Sequence, residues 1–449
     1  MRRLWVVLLS FSVGAAEFPW KAGVARVRIT PEEPIWLAGF AHRDRPSEGV
    51  RADIWAKALA LEDETGRIAV LVATDLVGLS RQDIETIAAR ARQAVGVGRE
   101  RLLVNSSHNH SAPVTRGVLP LYYELPPQQV QVVARYSDRL LDQLVGVIRE
   151  AVRNRAPATL AFEQGLAGFA VNRRRARPGG RALPGPVDPD VPVLSVRDGS
   201  GKLRAVVFGY ACHPTTLAGY EISGDWPGFA QAALEARHPG AVALFLAGAG
   251  GDQNPLPRYH GADERLKSYA VALAEMYGRI LAAAVDLVLA GPMRPLKGPL
   301  EAAFGEAELR FQAPPSLEEL KRRLASAQAA YERRAIRDLI ERLRSEGRLP
   351  DRYSYPIQVW RFEEGLTLVA LAGEPVVDYS LRFKAQFGWE KTWVAGYMNE
   401  LVAYIPSRRV LEEGGYEGTE GMWEYGLPAP FTPEVEESIV ATVTRLAGR

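Results

Sequence analysis

The chain has 449 residues, of which 47% are hydrophobic and 24% are charged, a composition typical of a globular protein with a sizeable core. Its 55 basic residues nearly balance its 53 acidic residues, which argues against a nucleic acid as partner. The single cysteine, Cys212, excludes an internal disulfide and a zinc site built from several thiolates.

The N-terminus has the pattern of a secretory signal. Two arginines follow Met1, an apolar run covers residues 4–13, and small residues end the segment at Ala16. The run is about half of the roughly 20 residues that cross a bilayer. We therefore predict a signal peptide over residues 1–16, a secreted or periplasmic protein, and a single domain over residues 17–449. An uncleaved membrane anchor is the alternative.

The first half of the chain alternates predicted strands and helices. The apolar spacing and the turn residues predict, in chain order, strands over 51–62 and 67–73, a helix over 80–95 with Ser80 as its N-cap, a strand over 102–104, a polar loop over 105–111 and a helix over 128–152.

The second half continues this alternation. It predicts a loop over 172–189, strands over 191–196 and 205–211, a helix over 229–237, a strand over 242–246, a glycine-rich loop over 248–252, helices over 263–289 and 316–346, strands over 359–361 and 366–371, a helix over 374–387 that Glu374 opens, and a helix over 433–446. Together these elements predict an α/β fold with mixed β-sheets flanked by helices, in which loops at strand ends form the site.

Histidine is scarce, with six residues in the chain, and three of them follow predicted buried strands. His108 and His110 lie in one polar loop, and His213 follows the strand over 205–211. Zinc binds imidazole nitrogens and carboxylate oxygens, and a catalytic site leaves one position open for water. The pattern predicts a zinc site, with hydrogen-bonded structural histidines as the alternative.

Several other catalytic classes lack their motifs in this sequence. It contains no H-E-x-x-H, G-x-S-x-G, G-x-G-x-x-G or Walker motif. A Ser-His-Asp hydrolase stays open as an alternative, although no nucleophile elbow is present.

Five motifs in one order resemble those of neutral, non-lysosomal ceramidases. The resemblance runs from about Ala22 to the C-terminus. His108–Pro113 resembles the family pattern H-T-H-S-G-P, Ala211–Thr215 resembles A-V-H-P-T, and Gly251–Pro255 resembles G-D-V-S-P. Gly373–Glu374 resembles P-G-E, and Tyr404–Ser407 with Tyr416–Gly418 resembles the pair Y-V-T-T and Y-E-G.

The resemblance implies a role for each matching position. It implies that one Zn²⁺ is bound by His108, His213, Glu374 and Tyr404. It also implies that His110, Arg173, Asn254 and Tyr416 act on the substrate. The implied activity is hydrolysis of a lipid N-acyl amide, as in sphingolipid metabolism, by water that the zinc activates.

Two departures from the family pattern bear on the substrate. Asn254 stands where the family has serine in G-D-x-S-P, and a carboxamide both donates and accepts hydrogen bonds. The family also has a C-terminal immunoglobulin-like domain, and we expect none in this chain. Because metal-activated water needs no serine nucleophile, we interpret Asn254 as a changed substrate contact.

Three functions therefore stay open from the sequence. The first is a zinc amidohydrolase, the second is a zinc hydrolase of another bond such as an ester, and the third is an inactive, metal-stabilised binding protein. The basic stretch over 173–181 is a candidate for contact with a membrane surface, with a solvated loop as the alternative. The oligomeric state does not follow from the sequence.

Overall fold

The computed structural model describes residues 18–177, 181–182, 185–258, 264–363 and 365–448. The predicted signal over residues 1–16 lies outside these ranges. Within them, no helix has both the length and the apolar character that crossing a bilayer requires.

The strands are named here in chain order. They are β1 (Trp20–Arg28), β2 (Gly49–Val50), β3 (Trp55–Glu62), β4 (Ile68–Thr74), β5 (Leu102–Ser106), β6 (Ala156–Leu166), β7 (Ala170–Asn172), β8 (Ala176–Arg177), β9 (Arg181–Ala182), β10 (Asp190–Asp198), β11 (Leu203–Tyr210), β12 (Glu221–Ile222), β13 (Val242–Ala247), β14 (Gln253–Pro255), β15 (Arg294–Leu296), β16 (Leu300–Arg310), β17 (Arg352–Phe362), β18 (Leu366–Leu371), β19 (Glu374–Pro375), β20 (Thr392–Ala395) and β21 (Tyr404–Ile405).

The α-helices are named in the same way. They are α1 (Arg81–Val95), α2 (Pro127–Arg153), α3 (Asp225–Arg237), α4 (Glu264–Lys267), α5 (Ala270–Ala290), α6 (Leu317–Ser326), α7 (Ala330–Glu346), α8 (Val377–Phe387), α9 (Arg408–Glu413), α10 (Gly415–Gly418) and α11 (Val435–Leu446). Short 3₁₀ turns lie at Arg99–Arg101, Arg173–Arg175, Trp389–Lys391 and Glu420–Tyr425.

Two mixed sheets form the centre of the molecule. The larger sheet has the order β13-β11-β10-β6-β1-β3-β4-β5, with β15 also paired to β6, and its β11/β13 and β4/β5 pairs are parallel. The smaller sheet has the order β16-β17-β18-β20, with β18 and β20 parallel. These sheets and the helices on their outer faces confirm the predicted mixed α/β class.

The two sheets pack face to face. One apolar cluster combines Leu59, Leu160 and Leu244 of the larger sheet with Trp360 and Trp393 of the smaller one. The outer face of the larger sheet is covered by α1, α2, α3 and α5, and that of the smaller sheet by α8 and α11. Since both faces of each sheet are covered, strands such as β18 are buried along their whole length.

A buried asparagine joins the loops at the strand ends. The side-chain oxygen of Asn105 accepts from the Ala247 N–H at 3.0 Å, and its side-chain nitrogen donates to the Gly396 carbonyl at 2.8 Å. The ends of β5, β13 and β20 therefore lie close together, although β5 and β13 stand at opposite ends of the strand order. The loops that carry the predicted site residues start from this point.

Four of the predicted helices were wrong in extent, and one of them, predicted over 229–237, begins four residues earlier, at Asp225. The predicted 316–346 helix breaks between α6 and α7, where Ala327 is extended. The guanidinium of Arg333 donates to the Ala327 and Gln328 carbonyls there, so a tertiary contact takes the place of helical bonds. The predicted 263–289 helix is divided into α4 and α5, and its start at residue 263 lies outside the described residues.

The helix predicted to open at Glu374 begins three residues later, at Val377. Glu374 lies in β19, which pairs with β21 in parallel, and its N–H donates to the Ala403 carbonyl at 2.8 Å. A residue before proline is biased towards extended backbone, and Pro375 follows Glu374. Strands β1, β6, β16 and β20 were not predicted, and the loop predicted over 172–189 contains β8 and β9.

Candidate metal centre

Two loops bring His108 and His213 to one buried point. The loop after β5 lies against the chain that follows β4, where the Ser107 N–H donates to the Thr74 carbonyl at 2.9 Å. His108 has a φ of 61°, a left-handed conformation that costs a non-glycine residue free energy. His213 follows β11, and its N–H donates to the Gln253 carbonyl at 3.0 Å.

Backbone carbonyls set which ring nitrogen of each histidine carries the proton. Nδ1 of His108 lies 2.9 Å from the Val77 carbonyl, and Nδ1 of His213 lies 2.7 Å from the Gly250 carbonyl. A carbonyl oxygen only accepts, so both Nδ1 atoms carry N–H groups. The lone pair of each ring is then on Nε2, the arrangement by which proteins orient histidine ligands.

Glu374 meets both of these nitrogens with one carboxylate oxygen. Its Oε2 lies 3.2 Å from Nε2 of His108 and 3.0 Å from Nε2 of His213, while Oε1 accepts from the Tyr425 hydroxyl. Burial opposes the charge, whereas positive charge beside the carboxylate, from protonated histidines or from a cation in their place, holds the pKa of Glu374 well below its usual value. Glu374 is therefore ionised at neutral pH.

This donor set fits a transition metal. With metal–ligand bonds of about 2.0–2.1 Å in tetrahedral geometry, ligand atoms lie about 3.3 Å apart, close to the observed separations. Burial and the nearby Arg173 lower the pKa of His213 to about 4, so its ring is neutral at pH 7. Two lone pairs and a carboxylate oxygen thus face one another in the interior, an arrangement that a cation between them stabilises.

His110 lies next to this group with free ring nitrogens. One ring nitrogen each of His108, His110 and His213 lies within 4.8 Å of the other two. Neither nitrogen of His110 has a hydrogen-bond partner among the described residues. Glu374 oxygens lie within 4.0 Å of a ring nitrogen of His108 and of His213, and among the described residues no such pair joins Glu374 to His110. Burial is the largest of the effects that lower the pKa of His110 well below its usual value.

The segment around Gly39 fixes His110 in place. Nη1 of the buried Arg43 donates to the His110 carbonyl at 2.7 Å. Gly39 has a φ of 90°, and a Cβ atom there would lie 2.3 Å from Cγ of His110. The ring of Phe40 meets the His110 ring edge-on, with centroids 5.0 Å apart. Only glycine at position 39 lets the backbone approach the imidazole this closely.

Tyr404, Arg173 and Tyr416 lie together beside Glu374. The pairing of β19 with β21 sets Tyr404 opposite Glu374. The guanidinium carbon of Arg173 lies 5.4 Å from the ring centroids of both Tyr404 and Tyr416, and Nε of Arg173 donates to Glu417 at 2.6 Å. Burial, followed by the charge of Glu374, raises the pKa of Tyr404 well above its usual value.

A buried carboxyl, Glu424, accepts a hydrogen bond from the Tyr416 hydroxyl. Burial is the main cause that raises the pKa of Glu424 to about 8, and Glu374 adds to this, whereas Tyr416 and Arg173 oppose it. Glu424 therefore keeps its proton at neutral pH, and the pair with Tyr416 holds two protons near the metal centre.

The chain matches one known protein family over its N-terminal half. The family described as neutral/alkaline non-lysosomal ceramidase, N-terminal, matches residues 20–256, more than half of the chain. The chain belongs to this family. The matched region contains His108, His110 and His213, whereas Glu374 and Tyr404 lie beyond it.

Individual relatives agree with the family. The neutral ceramidase of Pseudomonas aeruginosa is 26% identical over 266 residues, which are 56% of this chain and 39% of that protein. Neutral ceramidase of Drosophila melanogaster is 26% identical over 171 residues, which are 34% of this chain and 24% of the relative. These matches cover less than half of either relative's own length.

Solved structures show the same fold. The crystal structure of neutral ceramidase from Pseudomonas aeruginosa superposes with a TM-score of 0.75 at 20% identity, over 96% of this chain and 74% of that one. A ceramidase complexed with C2 superposes with a TM-score of 0.73 at 18% identity, over 96% of this chain and 75% of that one.

Asn254, which stands where the ceramidase family has serine, is held by neighbouring polar groups. In the carboxamide orientation that pairs both of its polar atoms, the side-chain oxygen accepts from Nη2 of Arg258 at 3.1 Å and the side-chain nitrogen donates to the Gln253 carbonyl at 3.3 Å. Asp252 fixes the same loop, since it accepts from Nδ2 of Asn172 at 2.8 Å and from the Val377 N–H at 3.0 Å.

The structure adds site residues that the ceramidase motifs did not indicate. Tyr425 bonds the ligand candidate Glu374, and Glu424 bonds Tyr416. The ring of Tyr397 stacks on His108 with centroids 4.5 Å apart, and its hydroxyl has no partner in the described part of the chain. Tyr397, Glu424 and Tyr425 belong to none of the sequence motifs, so the sequence did not indicate that they lie at the site.

The raised pKa of Glu424 predicts a pH-dependent stability. The folded pKa of about 8 lies above the ordinary 4.5, so the unfolded chain loses this proton first. Between these values the contribution of Glu424 to stability falls as pH rises, by about 1.4 kcal/mol per pH unit. The Glu424→Gln variant has no carboxyl group to titrate at this position. Its free energy of unfolding should therefore rise relative to that of wild type from pH 5 to pH 8.

Urea denaturation at several pH values measures this difference. Glu420→Gln is the matched control, because Glu420 is exposed on the same 3₁₀ turn. Stability profiles of wild type and Glu424→Gln that stay parallel between pH 5 and pH 8 would contradict the assignment.

Proposed function

We propose that this chain is a zinc-dependent hydrolase that cleaves an N-acyl amide with metal-activated water. The observation that carries this proposal is the convergence of two Nε2 lone pairs on the buried carboxylate of Glu374. Membership of the ceramidase family supports the amide bond as the target. We assign the zinc ligands as His108, His213, Glu374 and Tyr404.

The same proposal assigns substrate roles to His110, Arg173, Asn254 and Tyr416. When bound, zinc supplies Lewis acidity and lowers the pKa of water towards about 7. Neutral His110 has an N–H free to donate to a carbonyl oxygen as that oxygen gains charge. Nη2 of Arg173 lacks a partner within the described ranges and is a second donor for the same oxygen.

The leaving amine needs a proton. Glu374 is ionised, and its oxygens face Tyr425 and the proposed metal, so it is not the source. We propose that Tyr416 and Glu424 supply the proton, since this pair holds two protons at neutral pH. We propose that Tyr416 also orients the scissile amide, because its ring is fixed beside Tyr404 at 5.2 Å.

We propose that residues 17–449 act as one hydrolase unit after removal of the signal at residues 1–16. Loops after strands of the larger sheet supply His108 and His213, and the segment after β18 of the smaller sheet supplies Glu374, so neither sheet alone holds the ligand set. The proposed substrate is a lipid amide taken outside the cytoplasm at or near a membrane surface, without a nucleic acid partner.

Metal removal tests the proposed activity. Protein purified without chelator should hydrolyse at least one N-acyl amide in a panel of matched amides and esters, lose that turnover with chelator, and regain it with zinc. Faster turnover of esters would favour an esterase on the same site. A chain that binds zinc but hydrolyses nothing in the panel would be the inactive binding protein.

The variant His110→Ala tests whether His110 binds the metal or donates a hydrogen bond to the substrate oxygen. We expect it to keep its zinc and to lose turnover by roughly 100- to 1000-fold, since one donor to the charged oxygen is removed. His108→Ala is the matched comparison and should lose the metal itself. Elemental analysis measures the zinc content of each variant, and the amide assay measures its turnover. Loss of zinc from His110→Ala would show that His110 is a ligand.

A further inference from the structure

Arg258 lies beside the metal centre, and neither the family motifs nor the proposed mechanism uses it. Its half-buried guanidinium donates through Nη1 to Oγ1 of Thr215 at 3.2 Å and through Nη2 to the Asn254 side chain at 3.1 Å. These bonds use two of the five N–H donors of an arginine.

The two partners of Arg258 are tied to a proposed zinc ligand. The Thr215 N–H donates to the His213 carbonyl at 3.0 Å, and the His213 N–H donates to the carbonyl of Gln253, the neighbour of Asn254, also at 3.0 Å. The guanidinium is therefore anchored to the two loop segments that hold His213. Its position relative to the metal centre is fixed by backbone contacts.

No described residue balances the charge of Arg258 in the way that Glu417 balances the charge of Arg173. Arg173 and Arg174 each bond Glu417 at 2.6 Å, and Arg174 also contacts Glu413. Among the described residues, no carboxylate lies within 4.0 Å of Arg258. Burial, and then repulsion from Arg173, lowers the pKa of Arg258 to about 10, whereas a paired carboxylate would raise it.

We propose that Arg258, with Asn254 and Thr215, binds an anionic group on the amine side of the substrate. This inference rests on the proposed amide hydrolysis, and it specifies the substrate class as N-acyl amides whose headgroup carries a negative charge. An acyl chain prefers apolar surroundings, so the polar wall formed by Arg258, Asn254 and Thr215 suits the headgroup. Arginine binds carboxylate and phosphate oxygens through two parallel N–H groups.

A matched pair of substrates tests this subsite. N-lauroyl-glycine carries a carboxylate that N-lauroyl-glycinamide replaces with a neutral amide of similar size. Wild type should prefer the acid in kcat/KM by about 10- to 100-fold, the size expected for one charge-assisted contact. The preference should weaken as salt concentration rises, because the contact is electrostatic.

Arg258→Met should remove this preference, and Arg258→Lys should restore part of it through charge alone. Arg155→Met is the matched control, because Arg155 is also half-buried but is paired with Glu62, outside the proposed subsite. The Arg155→Met variant should keep the preference for the acid. Equal rates of wild type on the two substrates, or an equal loss of both rates in Arg258→Met, would overturn the proposal.

A binding measurement separates this proposal from the proposed chemistry. If the zinc-loaded protein hydrolyses neither compound, both stay intact and calorimetric titration gives their affinities for wild type and Arg258→Met. Tighter binding of the acid by wild type alone would support the subsite in an inactive protein, and equal affinities would overturn it. A phosphoethanolamine N-acyl amide in the same assays distinguishes a phosphate preference from a carboxylate preference.

Discussion

The arrangement of the site depends on two imidazole lone pairs that face one ionised carboxylate inside the protein. The carbonyls of Val77 and Gly250 fix the protons on the far nitrogens of His108 and His213. Glu374 is charged and almost fully buried, which costs several kcal/mol unless cations or donors surround it. The Tyr425 hydroxyl satisfies one oxygen, and the proposed metal would satisfy the other.

Two stacked sheets make this meeting of distant residues possible. The apolar layer between the sheets sets their strand ends side by side, and Asn105 bonds the ends of β13 and β20. The left-handed backbone of His108 is held by bonds on both sides of it, because the Ser107 N–H donates to the Thr74 carbonyl and the Asn109 N–H donates to the Leu76 carbonyl. Near the centre, Glu417 balances Arg173, whereas Arg258 has no carboxylate partner among the described residues and is the group that we propose to select an anion.

The sequence predicted what depends on local patterns. Ser80 caps α1 as expected, and the histidine loops follow strands β5 and β11 because polar runs end apolar ones there. The extended backbone of Glu374 was missed, since its pairing with Tyr404 is a contact between segments thirty residues apart. Glu424 and Tyr425 sit in a 3₁₀ turn without a motif, so only the folded packing reveals their bonds.

Anomalous diffraction at the zinc absorption edge tests the central claim most directly. Crystals of protein purified without chelator should show one peak about 2.0–2.2 Å from Nε2 of His108, Nε2 of His213 and Oε2 of Glu374. The same map measures whether Tyr404 or His110 is the fourth ligand. An absence of anomalous signal between these three atoms in protein that hydrolyses amides, or a zinc held by other residues, would contradict the account.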